Sequence, residues 1–419
     1  MANNLTSNVE TKLLKSFLKG AENKRVLSKS VDTQFNGQFN PNTGSTISVK
    51  RPHDAISHRT SGGDISGVTK SSIISGKATA TVQDFITVAV EYEAVEEALE
   101  LGGLDDILAP YAQRAVTDLE VDFASYMMKN CNLSVGDPDT AIGSWADVAN
   151  AGALMHSIGA GGGEINFAMN SFTSVALANL QSGLSAGEGL VGEAWKNAMI
   201  SKDFAGMRVL KSDALSTYTA GSLTDRAGTI NGTPTVTYAG HKDTMIQSIP
   251  VTAFAAGTDT IKAGEVVEIT GRYRLNLATR QPIVGSDGNQ VKWRGVVTAD
   301  VTLSGGAGTL LVAGPAIYES GGQYNTTSSA IANSDVITLL GTAATVYQPS
   351  LFYRKDAFTI AFCNIPKLAA TDASVVTRDG LAIRCHKYSD GDANTQKVRF
   401  DILPAYGTLN PFYAGHCYG

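Results

Sequence analysis

The sequence predicts an α+β fold interrupted by an all-β insertion. Three observations carry that reading. Residues 104–130 keep a helical apolar rhythm, with Leu104, Ile107, Leu108, Tyr111, Ala115, Val116, Leu119, Phe123, Tyr126 and Met127 at i, i+3, i+4 spacing. Residues 140–222 alternate helix and strand patterns, and the same mixture resumes near residue 346. Between these stretches, residues 223–345 hold only short Val/Thr/Ile runs separated by Gly, Asn and Asp, the pattern of a small barrel or sandwich.

Taken in order, residues 1–35 read as a mobile arm. Up to Ser30 it holds six Lys/Arg against two Glu, and Leu5, Val9, Leu13 and Phe17 recur every fourth residue. That is an amphipathic helix, marginal alone, that packs on its own domain or on a partner. Strand patterns follow at Thr46–Val49 and Thr79–Val90. The Gly/Ser-rich, charged stretch 50–78 between them reads as a long two-stranded flap, which needs a surface to lie on. The long helix comes next, with Pro110 six residues in, where a kink or a helix start is expected.

Ile165–Met169 is a short strand, and Asn170 or Ser171 caps a helix running to about Gln181. A second helix covers Leu190–Ile200, and Met207–Leu210 is a strand. Within the insertion the strand candidates are Thr233–Tyr238, Val266–Tyr273, Val291–Val301, Thr309–Ile317 and Val336–Leu340. The returning segment offers Phe358–Phe362, Ala382–Lys387 and Lys397–Leu403.

Composition narrows the function. The chain has 419 residues, 33 Lys plus Arg, 39 Asp plus Glu and a net charge of −6. A hydrophobic fraction of 43% supports a sizeable core, while 17% charged residues is below the usual quarter. Few charges beside 43 glycines point to a surface that faces protein. No apolar run reaches the length of a transmembrane helix, and the first residues lack a signal-peptide stretch. Cys131, Cys363, Cys385 and Cys417 form no CxxC pair, so a reducing cytoplasm is the expected setting. A mildly acidic chain is no dedicated duplex binder.

Motifs that invite chemistry fail on context. Gly183–Gly187 matches G-x-S-x-G around Ser185, but that elbow needs a strand before the serine and the preceding residues look helical. A Gly/Ser loop between two helices accounts for it. Gly187–Gly192 matches G-x-G-x-x-G without the strand a dinucleotide loop requires. Asp390, Asp392 and Asn394 have the spacing of a calcium loop, yet its sixth position is Thr395 and its twelfth Asp401. A hairpin turn explains the same residues. The six histidines show no metal-ligand spacing, so neither cofactor nor catalytic residue is expected.

Several strings carry a resemblance. Lys50-Arg51-Pro52-His53 leads to Gly63-Asp64-Ile65-Ser66-Gly67, then to Ile74–Thr79 and Val88-Ala89-Val90-Glu91-Tyr92. Ile107-Leu108-Ala109-Pro110 precedes Val116–Glu120, and His386–Asn394 is followed by Arg399–Tyr406. With this order of parts, the chain resembles the major capsid (coat) proteins of tailed bacteriophages with the HK97 fold. Within them it is most similar to the podovirus coats of Salmonella and Shigella phages, which carry an inserted β-barrel domain.

That resemblance implies a segment plan. Residues 1–35 correspond to the N-arm, 36–88 to the extended E-loop region, and 89–135 to the peripheral domain with its spine helix. Residues 136–222 correspond to the first part of the axial domain, 223–345 to the inserted barrel, and 346–419 to the return. It implies a non-enzymatic shell protein that assembles in the bacterial cytoplasm into hexamers and pentamers of an icosahedral virion capsid. A scaffolding protein and a portal protein are the implied partners. Contact with packaged double-stranded DNA is weak and non-specific, and no membrane is involved. His241, Lys242 and Asp243 correspond to a loop that bridges neighbouring capsomers. Two alternatives stay open on the residues alone: a glycan- or surface-binding module at 223–345, and a serine hydrolase using Ser185.

Overall fold

A computed structural model of the chain describes residues 25–39, 44–93, 104–182, 200, 202–234, 236–255, 257–368, 373–376, 380–390, 392 and 395–419. The chain divides into two compact units. One comprises Met1–Ile47, Ala80–Ala124 and Phe358–Gly407; the other comprises Ser48–Thr79, Ser125–Ala357 and Thr408–Gly419. The architecture is α+β, and a closed six-stranded barrel lies within the second unit.

Two four-stranded sheets build the first unit. One runs in the order Thr46–Lys50, Lys77–Val82, Pro404–Thr408, Phe358–Phe362. The other runs Ala373–Val376, Ala382–Asp390, Thr395–Ile402, Ile86–Glu93, and its described pairs are antiparallel. The long helix spans Leu104–Lys129 and runs through Pro110, so that proline does not open the helix. Phe123 and Tyr406 pack with ring centroids 5.1 Å apart.

The end of the predicted arm behaves differently from expectation. Leu27, Val31, Phe35 and Phe39 are all buried, so from Arg25 onward the chain is core rather than mobile arm. Glu120 of the long helix explains why. Its carboxylate accepts the backbone N–H groups of Val26 (3.2 Å), Leu27 (2.6 Å) and Ser28 (3.1 Å) and the Ser28 hydroxyl. A buried carboxylate given that many donors needs no cation. The amphipathic helix expected near the start of the arm lies outside the described residues.

A second buried carboxylate ties the other sheet. Asp401 accepts from Arg384 Nε at 3.0 Å, from Arg399 Nε at 2.9 Å and from Thr87 Oγ1 at 2.8 Å. Burial pushes its pKa up, but the bonds from Arg399, Arg384 and Thr87 outweigh burial and hold it below the ordinary carboxylate value.

In the second unit a six-stranded sheet runs Leu133–Val135, Ala414–Cys417, Ser350–Arg354, Ile165–Met169, Met207–Lys211, Asp203–Phe204. Helices Trp145–Met155 and Ser171–Ser182 cover it, burying Val148, Met155 and Leu177 against Phe167 and Phe352. Asn170 is the predicted cap, its Oδ1 accepting Thr173 N–H at 2.8 Å. The helix expected over Leu190–Ile200 falls mainly on residues outside those described.

The barrel closes in the order Ile246–Thr252, Gly308–Ala313, Lys292–Val297, Val266–Tyr273, Val336–Leu339, Ala227–Ile230. Alternate residues point inward, so Ile249, Val251, Trp293, Leu310, Val312 and Ile337 fill it. The described residues of the strand predicted over Thr233–Tyr238 form no strand. Pro234 breaks that run, and the chain turns through a single helical turn at Tyr238–His241 capped by Thr237.

Barrel and sheet meet at a buried joint. Arg274 donates to Asn132 Oδ1 at 2.6 Å, to Asn132 O at 3.1 Å and to the Arg294 carbonyl. Asn132 Nδ2 donates to Ala313 O and Gly314 O. Gly314 sits at φ 73°, and a Cβ there would lie 2.4 Å from the Asn132 amide, so only glycine fits. Burial lowers the Arg274 pKa to about 9, with Arg294 adding to the effect.

His416 lies in the same core. Its Nε2 donates to Met128 O at 2.9 Å, which leaves Nδ1 to accept from Tyr418 at 3.3 Å, and Tyr418 meets Tyr218 at 3.1 Å. Burial lowers the His416 pKa to about 4, against a smaller opposing effect of the Met128 bond.

Two outcomes follow from these buried groups. Asp401→Ala leaves two guanidiniums without their carboxylate and lowers stability by about 3–5 kcal/mol in chemical denaturation; a loss under about 1 kcal/mol contradicts the account. His416 is neutral in the fold, so its stabilisation is complete above pH 6.5 and lost as pH falls from 6.5 towards 4. Denaturant midpoints across that window drop by roughly 3 kcal/mol equivalent in the parent and less steeply in His416→Gln; parallel slopes refute it.

Candidate functional site: the flap and its seat

Beyond Lys50 the chain leaves its sheet and does not pair again until Lys77. The two-stranded flap predicted over 50–78 is therefore stranded only at its base. Residues 51–76 hold no alternating apolar run, and their only regular element is a single turn at Ser61–Gly63. The two limbs are linked where the Ser71 hydroxyl oxygen accepts Ile56 N–H at 2.8 Å. Two large apolar side chains of the flap face solvent, Ile65 at 46% exposure and Ile73 at 85%.

The base is held firmly. Arg51, 7% exposed, donates from Nε to Lys242 O at 3.0 Å and Lys77 O at 3.2 Å, and from Nη1 to Leu409 O. Burial lowers the Arg51 pKa, and nearby Tyr238 and Asp243 oppose that shift. Arg51 N donates to Gly76 O at 2.8 Å, and Lys77 N donates to Asp243 Oδ1 at 3.0 Å. Gly76 passes so near this turn that a Cβ would lie 2.6 Å from Lys242 O.

Farther out, Gln323 reads both limbs. Its Nε2 donates to Asp54 O (2.9 Å) and Ser72 O (2.8 Å), and its Oε1 accepts Ser72 N–H at 3.2 Å. Arg280 pairs with the Asp54 carboxylate and donates to Asn325 O at 2.8 Å. Beneath them Ile74 packs on Val236, Tyr238, Met245, Ile317, Tyr324 and Phe412, with Tyr238 and Tyr324 stacked at 3.7 Å. Sequence reasoning missed Asp54, Arg280 and Gln323, because contacts across 226 to 269 residues leave no local pattern.

His241, Lys242 and Asp243 thus come together at the flap base. His241 Nδ1 lies 3.1 Å from Thr237 O. Asp390 and Asp392 sit at the turn between Ala382–Asp390 and Thr395–Ile402, where Asp390 Oδ1 accepts Asp392 N–H at 3.1 Å. Asn394 and Ser185 lie outside the described residues. Among the described residues, no group of three His, Cys, Asp or Glu side chains could hold a metal ion.

An open groove of about 480 Å³ lies in the second unit beside Pro138, Asp139, Phe172, Val346 and Tyr347. Its carboxylate is already occupied: Asp139 accepts from Tyr347 and from Thr342 N–H at 3.2 Å and Oγ1 at 3.0 Å. The Tyr347 bond keeps Asp139 below the usual carboxylate value despite partial burial. Cys417 lines it too, and burial, with Asp147 adding to the effect, pushes its thiol far up, so that thiol is not an activated nucleophile.

A family described as "P22 coat protein - gene protein 5" matches residues 1–418. The chain belongs to this coat protein family. A "Major capsid protein" of Acyrthosiphon pisum secondary endosymbiont phage 1 is 41% identical over 422 residues, covering 100% of both chains. Among solved structures, a chain of Mycobacterium phage Che8 is 8% identical with a TM-score of 0.47, covering 94% of this chain and 90% of its own. The mature capsid of bacteriophage PhiM1 is 11% identical with a TM-score of 0.44, covering 94% and 86%.

The coat protein is accordingly a structural component of the phage capsid shell, a virion protein that associates with copies of itself. Among the described residues, no helix is long and apolar enough to cross a membrane. Limited trypsin treatment of the unassembled coat protein cuts after the exposed Arg59 and Lys70 of the flap ahead of the buried Arg274. Mass spectrometry of the first fragments checks this, and early cleavage at Arg274 contradicts it.

Proposed function

We propose that the coat protein builds an icosahedral shell of the HK97-like kind around a double-stranded DNA genome, as hexamers and pentamers in which each flap lies on a neighbouring copy. The observation that carries this reading is the flap: a firmly seated base, an outer part without a core of its own, and Ile65 and Ile73 exposed. Charge favours the same contact. Residues 50–77 hold five Lys/Arg against two Asp, while residues 84–113 hold eight Asp/Glu and no Lys or Arg. Opposite blocks on identical subunits attract head to tail, the geometry of a repeating heterologous contact.

In this reading residues 1–35 are the N-arm, 36–88 the extended loop region, and 89–135 the peripheral domain. Residues 136–222 with the return at 346–419 form the axial and peripheral remainder, and 223–345 are the inserted barrel. Assembly takes place in the host cytoplasm with a scaffolding protein, and a portal protein occupies one vertex. Packaged DNA is touched weakly, since a net charge of −6 gives little phosphate grip. The role requires no catalysis and no cofactor. Neither glycan binding by the barrel nor hydrolysis at Ser185 is favoured by any observation.

Assembly with scaffolding protein, followed by negative-stain microscopy, tests the flap contact. Ile73→Asp and Ile65→Asp leave the monomer's stability within about 0.5 kcal/mol and reduce closed shells by about tenfold or more. Parent-like shell yields from both variants overturn the proposal.

A further inference from the structure

We infer that the turn Thr237–Asp243, with Arg280 and Gln323, is the seat that sets the direction of the flap of its own chain before any neighbour arrives, with Arg51 and Asp243 as positioning residues for assembly. The inference rests on the reading that the flap reaches a neighbouring copy, and it assigns the inserted barrel's outer turns a role within one subunit.

The geometry is that of a seat rather than of an incidental contact. Arg51 joins four separate stretches of chain: both flap limbs through its own backbone and Lys77 O, the turn through Lys242 O, and the C-terminal segment through Leu409 O. A guanidinium's fixed fork of donors sets angles as well as distances, which a lysine cannot do. Asp243 then spends one carboxylate oxygen on the Lys77 amide, the first strand residue after the excursion. Gly76 lets the limb approach the turn to a distance that any side chain would block.

A second fixing point lies farther out, where one Gln323 amide group bonds both limbs and Arg280 holds Asp54. Two points define a line, so the flap leaves the subunit in one direction. The seat uses the Lys242 carbonyl and not its ammonium. It is also closed within the chain, so its hydrogen bonds require no second subunit.

Residue-resolved hydrogen exchange on the full-length, unassembled coat protein tests this without reference to shells. The amides of Arg51, Ser72 and Lys77, which have acceptors in the seat, exchange slowly in the monomer, and those of the flap tip exchange fast. Asp243→Ala speeds exchange at Lys77 by roughly tenfold to a hundredfold, whereas Asp243→Asn keeps an acceptor oxygen and stays within about threefold. Gly76→Ala, which removes no polar group, opens the same amides while the barrel's exchange stays at the parent rate.

Fast exchange at Arg51 and Lys77 in the parent monomer, with protection gained only in assembled particles, overturns the inference by making the contact one between subunits. Unchanged Lys77 exchange in Asp243→Ala overturns it as well. A monomer with these amides protected that never forms shells supports the seat and refutes the shell reading instead.

Discussion

Residues 51–76 impose the constraint from which the rest of the coat protein follows: a segment that cannot bury enough of itself to be ordered alone. Fixing a backbone residue costs about 1–2 kcal/mol, and a fully buried large apolar side chain returns about 1.5–3 kcal/mol. Of the outer flap's large apolar side chains, Ile56 and Val68 are only partly buried, and Ile65 and Ile73 face water in the single chain. In the proposed shell, a neighbouring copy supplies the surface that completes its packing. What the chain itself supplies is the base, where Ile74 is packed and Arg51, Asp54 and Lys77 are bonded.

A projecting segment is useful only when its root is stiff, and the stiffness comes from buried polar groups that hold several partners each. Arg274 and Asn132 bind barrel to sheet in the second unit, with Gly314 allowing the approach. Glu120 and Asp401 do comparable work inside the first unit, each accepting at least three bonds. Buried groups of this kind favour one arrangement over looser packings, because any rearrangement strands a charge. The barrel interior, closed around Trp293 and Leu310, adds a rigid body from which the turns at 237–243 and 323–325 project.

Much of this was legible in the sequence. Where a local rule governs, prediction and structure agree: Ile165–Met169 and Val266–Tyr273 are strands with the expected limits, Asn170 caps its helix, and the long helix starts at Leu104. Errors arise where two rules compete. Pro250 hides the strand Ile246–Thr252, and Pro234 sits in a Val/Thr run whose described residues form no strand. Charge predicts a mobile arm, yet Leu27, Val31, Phe35 and Phe39 repeat every fourth residue and are all buried. The seat of the flap was not legible at all. Arg51 and Gln323 act through backbone carbonyls far away in sequence, and such partners carry no side-chain signature.

The account stands on one claim, that the outer flap completes its packing on another copy of the coat protein. A density map of the assembled particle, resolved well enough to trace residues 52–75 from a known subunit, measures it directly. The account predicts continuous density that leaves the seat at Arg51 and Gln323 and covers Ile65 and Ile73 against an adjacent subunit. Density that curls back so that both isoleucines are buried on their own chain, with no neighbour within contact distance, contradicts it.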